Sequence, residues 1–176
     1  YEVLTNLSST KNNIILDFNY TASTRLILKQ CGLSDEDIDN RLIKVHGEAS
    51  NNDIIFGVED NAGIKKEHVF LRKAYNIKYK ALNFSELYDR IKSVAIFGHS
   101  LGETDHTYFN KLFQESCMYN KFSTNNNKEF WLFYYKENGY HCMMHQLDSL
   151  THNSLTSFRQ YNRVNFINTD KEKVFI

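Results

Sequence analysis

Ser100 lies in Gly98-His99-Ser100-Leu101-Gly102, a complete G-x-S-x-G that directly follows the apolar run Ala95-Ile96-Phe97. On a strand-to-helix turn this pattern lifts a serine above a sheet, where a histidine deprotonates it and a carboxylate orients the histidine for acyl transfer. Asp148 and His152 follow in the order serine, acid, histidine. The residues past the second glycine oppose this reading. An elbow packs its helix closely against the strand and favours small side chains there, whereas Glu103, Thr104, Asp105, His106, Tyr108 and Phe109 follow.

A second constellation joins three strand ends. Asn19 closes "DFN", His46 and Gly47 close "KVHG", and Ser100 closes the run through Phe97. Ligands of parallel sheets bind beyond the carboxyl ends of the strands, so three such ends predict one shared pocket. An asparagine amide there can hold a ribose hydroxyl or a water, and a neutral histidine can take a proton from that water. Each residue also has a plainer role. Asn19 suits a turn or helix cap, His46 a hydrogen-bonded buried imidazole, the glycines a tight turn, and Asp105 or Thr104 the cap of the following helix.

The elements that must position these residues alternate between strand and helix. Residues 13–19 read as a buried strand, 21–30 as a helix closed by Gly32, 41–46 as a second strand and 54–58, "IIFGV", as a third. Phe84, Leu87, Tyr88 and Ile91 share one helical face in "FSELYDRIKSV". A strand at 94–97 leads to a helix at 104–119 with Tyr108, Phe109, Leu112 and Phe113 as its apolar stripe. "STNNNKE" reads as a loop, 130–135 as an aromatic strand, "KENG" as a turn, the stretch to Tyr161 as one or two helices and 164–167 as a last strand. The alternation predicts an α/β layered fold with a mostly parallel sheet in a single domain, residues 1–176.

Composition bounds the partners. The 21 basic and 21 acidic side chains cancel, so no global field draws the chain to nucleic acid or an anionic membrane. No apolar run approaches the roughly 18 to 20 residues that span a bilayer, and the expected location is the cytoplasm. Cys31, Cys117 and Cys142 have no C-x-x-C spacing, and His141 and His145 share a helix face without the glutamate of H-E-x-x-H, so no metal is expected.

The blocks "FNYT", "VHG" and "GHSLGETD", in that order, resemble the sirtuin-like NAD-binding fold and, more closely, the bacterial abortive-infection AbiH family of phage-defence proteins. The resemblance implies a three-layer Rossmann-like fold, helices flanking a mostly parallel sheet, and a protein that binds or hydrolyses NAD or a related nucleotide. It assigns Asn19 and His46 to catalysis, and Gly47, Gly98, His99, Ser100 and Asp105 to contacts with the dinucleotide. Two departures stand out: Thr21 replaces an acid common in sirtuin-like motifs, and no cysteine zinc module follows His46-Gly47, which argues against a protein deacetylase. The family's first strand and glycine-rich loop, "GNGFD"-like, have no counterpart before Asn12, which implies the C-terminal part of a longer domain. The expected partners are therefore the nucleotide, that N-terminal segment and a second copy of the chain. A catalytically silent nucleotide-sensing or interaction module and the G-x-S-x-G serine hydrolase are the competing readings.

Overall fold

The computed structural model describes residues 13–58, 62–75, 90–118 and 127–171. They belong to two units, Tyr1–Lys80 with Val174–Ile176 and Ala81–Lys173, each considered by itself below.

In the first unit, β1 (Ile15–Asp17) is followed by helix α1 (Ser23–Gln30), helix α2 (Asp35–Arg41) and β2 (Leu42–Lys44). β1 and β2 pair in parallel, Ile15 opposite Leu42 and Asp17 opposite Lys44, the pairing that a crossover through helices produces. α1 ends where Gly32 takes φ +89°. The Gly32 amide donates to the Lys29 carbonyl at 2.9 Å and the Leu33 amide to that of Leu28 at 3.2 Å, the two bonds of a Schellman cap. The cap turns Leu33 inward against Leu28, Ile38 and Leu42, which with Ile15 form this unit's apolar cluster. α2 begins at Ser34, whose Oγ accepts from the Asp37 amide at 3.1 Å, and Asp35, Glu36 and Asp37 load its first turn with the charge that the helix dipole favours.

The second unit is built on β3 (Ser93–Ile96), β4 (Glu129–Tyr134) and β5 (Arg163–Asn168), all parallel, with β4 in the centre. Helix α3 (His106–Ser116) connects toward β4, and α4 (Lys136–Leu150) and α5 (Leu155–Tyr161) connect β4 to β5. A central strand covered on both faces carries apolar residues without alternation, and Phe130, Leu132 and Phe133 are all buried. Phe113 of α3, Phe130 of β4 and Phe158 of α5, each fully buried, meet with ring centroids 4.8–5.6 Å apart. This aromatic triangle holds two helices to the sheet.

The α/β class, the parallel pairing and the flanking helices agree with the sequence expectation. Three expectations need correction, and one helix was not expected. The strands expected in one sheet form two hydrogen-bonded sheets among the described residues, β1-β2 and β3-β4-β5. Residues 54–58 make no strand: Val58 forms an isolated bridge with Arg72, and Phe56 stands in solvent instead of alternating inward. "KENG" opens α4, whose first residue Lys136 takes φ +56°, rather than forming a turn; tertiary context overrides the Asn-Gly signal. α2, which the earlier pattern did not announce, is a full helix. The 84–91 helical face and the "STNNNKE" loop fall largely outside the described residues. Among the described residues, no helix is long and apolar enough to cross a membrane.

Candidate functional site

Asn19 and His46 both follow the carboxyl ends of paired parallel strands, so β1 and β2 deliver them to the same edge of the first unit's sheet. The connection after β1 is held by a polar hub. Asp17, 4 % exposed, accepts from the Asn19 amide at 2.9 Å through Oδ1 and from Lys44 Nζ at 2.9 Å through Oδ2. Lys44 Nζ also donates to the Asn19 and Thr21 carbonyls, so all three ammonium protons point at this one turn. The turn leaves the Asn19 side chain exposed. A buried carboxylate needs such a partner, because an unpaired charge there is expensive.

His46 is 5 % exposed and lies among rings: Phe18 meets it edge-on at 5.4 Å between centroids and Tyr20 lies tilted at 5.9 Å. Its carbonyl accepts from the Ile55 amide at 2.9 Å. Gly47 takes φ +74°, and a Cβ there would stand 2.1 Å from the Asp53 carbonyl oxygen, so only glycine permits this approach. Asp53 Oδ1 in turn accepts the Glu48 amide at 2.6 Å. Gly47 therefore serves the turn that sets His46.

The turn after β3 in the second unit carries Gly98, His99, Ser100 and Asp105. Gly98 has φ +66° and is exposed, and Ser100 is exposed beside it. His99 Nδ1 accepts the Leu101 amide at 2.9 Å, which places its proton on Nε2, 3.4 Å from Asp105 Oδ2. The His99 ring also packs 5.2 Å from Phe109. Leu101, fully buried at φ +55°, anchors the turn. His106 Nε2 lies within hydrogen-bonding distance of both the Leu101 carbonyl, at 3.0 Å, and Gln146 Oε1, at 2.8 Å, fastening the same turn to α4.

This geometry differs from a nucleophile elbow in two respects. The strained, positive-φ residue is Leu101 and not Ser100, and a 3₁₀ turn (Glu103–Asp105) precedes α3, so no helix starts at the serine. Asp105 occupies the position before α3, but its carboxylate makes no capping bond there and faces His99 instead, while Thr104 lies within the 3₁₀ turn. The helix-cap alternative for Asp105 is thereby corrected.

Asp17, Lys44 and His106 are the structural supports that sequence reasoning missed. A charged Asp in an otherwise apolar strand, opposite a Lys in the next, was the available signal for the first two. Among the described residues, no three His, Cys, Asp or Glu side chains gather closely enough to hold a metal ion. An open depression of about 510 Å³ is lined by His145, Asp148, Ser149, His152 and Asn153; it contains Asp148 and His152 of the serine-hydrolase reading but none of the residues assigned to the dinucleotide.

No curated protein and no solved structure matches the chain. The family model for bacteriophage abortive infection AbiH matches residues 2–135, well over half of the sequence and all of the "FNYT", "VHG" and "GHSLGETD" blocks. The chain belongs to the AbiH family of bacteriophage abortive infection proteins.

Proposed function

We propose that this abortive infection protein binds NAD or a closely related dinucleotide and hydrolyses its nicotinamide–ribose bond. The observation that carries the reading is the delivery of Asn19 and His46 to one edge of a parallel two-stranded sheet, each fixed by a turn built for it. In the reaction, a water oxygen bonds to the ribose anomeric carbon as the carbon–nitrogen bond breaks. The electron pair of that bond returns to the pyridine nitrogen, and nicotinamide leaves as a neutral molecule. Asn19 holds the ribose hydroxyl or the attacking water through its amide, and His46 accepts the water's proton and passes it to solvent. ADP-ribose is the other product. The transition state resembles that of glycoside hydrolysis, where positive charge grows on the sugar.

Ser100 forms no covalent bond in this reading. The test is nicotinamide release from NAD by the full chain, compared with Asn19→Ala and His46→Ala. Release should fall roughly a hundredfold or more in His46→Ala, the scale of a lost general base, and substantially in Asn19→Ala. Release unaffected by both substitutions would reject the assignment. NAD binding that depends on Asn19, without release in the unaltered chain, would select the silent sensing module instead.

A further inference from the structure

The rings around His46 continue outward to solvent. Tyr20, tilted against His46, also contacts Phe56 with centroids 5.2 Å apart and planes at 39°. Phe56 is 68 % exposed. Its exposure does not come from a slack backbone. Ile55, buried beside it, donates its amide to the His46 carbonyl at 2.9 Å, the Val58 amide donates to the Leu71 carbonyl at 2.9 Å, and the Lys73 amide returns to Val58 at 3.0 Å. Between these anchors Gly57 approaches Leu71 so closely that a Cβ would lie 2.4 Å from its carbonyl oxygen. A phenyl ring is thus held in water by a pinned segment, one ring removed from the histidine.

We propose that Phe56 and Tyr20 form a stacking shelf for a planar, positively charged heterocycle of the pyridinium class. The faces of both rings carry partial negative charge and attract a cation placed over them. This inference rests on the reading of the site as a dinucleotide hydrolase and names the part of the substrate that the shelf takes, the nicotinamide ring in its cationic, ribosylated state. Cleavage removes the charge, so the shelf holds substrate more firmly than it holds the departing neutral ring. Binding and product release then draw on the same contact.

The test titrates the full chain with 1-methylnicotinamide, with neutral nicotinamide and with adenosine, following binding by calorimetry. The cationic probe should bind roughly three- to tenfold more tightly than nicotinamide, the range a cation–π contact supplies. Phe56→Leu should erase most of that preference and Phe56→Trp should keep it; because Phe56 is exposed, circular dichroism should show both variants folded. Equal binding of the charged and neutral pyridines, Phe56-independent binding, preferential stacking of adenosine, or no binding of any probe would each overturn the proposal. The readout needs no turnover. A Phe56-dependent preference in a chain that does not cleave NAD would leave the shelf standing and reject the hydrolase, whereas cleavage without any Phe56 effect would do the reverse.

Discussion

The two units solve the problem of holding parallel strands in different ways. In the second, β4 is buried among Phe113, Phe130 and Phe158, and its neighbours are fixed by ring packing. In the first, the strands are three residues long, the apolar cluster is small, and the turn after β1 depends on the Asp17–Lys44 hub. The contrast shows where specificity is cheap. A large aromatic core tolerates polar neglect at its margins, whereas a short two-stranded sheet needs directed hydrogen bonds to give a terminal residue such as Asn19 one position.

That comparison predicts a graded set of effects. The largest should come from Phe130→Ala, which empties the centre of the aromatic triangle and should destabilise the second unit by about 3–5 kcal/mol. The only tryptophan, Trp131, is its neighbour on β4, so its fluorescence in a denaturant titration reports the change directly. Survival of the transition midpoint would show that the triangle is not the anchor. Next, Lys44→Met leaves a nearly buried Asp17 without its ammonium partner and should cost about 2–3 kcal/mol locally, with faster hydrogen exchange at the amides of Asn19 and Val45. Unchanged exchange at both would remove the hub from the account.

The smallest effect concerns charge on α2. Hydrogen bonding to Lys29, opposed in part by desolvation, holds the exposed Asp35 carboxyl below its ordinary range. A carboxyl whose folded pKa is depressed contributes stability above its unfolded pKa and loses it as pH falls through the folded value. The stability advantage of the unaltered chain over Asp35→Asn should therefore fade on acidification below the usual carboxylate range, and added salt should shrink it at neutral pH. A difference that grows at low pH would contradict the sign.

The ease of reading each region from sequence follows the same contrast. β4, α3 and β5 were legible because their apolar residues are dense and their periodicity is set by burial. α2 was signalled by Ser34 followed by three acids, a cap pattern rather than an apolar stripe. Residues 54–58 misled because β-prone side chains also suit a pinned, ring-bearing segment, and the close approach at Gly57 depends on Leu71, which is remote in sequence. At the candidate site, the positions of Asn19 and His46 past strand ends were readable. The Asp17–Lys44 hub arises only from a tertiary contact, and the fixed tautomer of His99 and the role of Leu101 as the strained residue come from the exact geometry of one turn, which residue types alone do not specify.

The most direct test of the central claim separates kcat from KM for nicotinamide release in His46→Ala and Ser100→Ala, with each variant first shown to be folded. A base that acts in the transition state should lower kcat roughly a hundredfold or more when removed, while Ser100→Ala, which removes no reacting group, should leave kcat near that of the unaltered chain. The account predicts that split. Abolished turnover in Ser100→Ala together with an unchanged kcat in His46→Ala would contradict it and restore the serine as the reacting group.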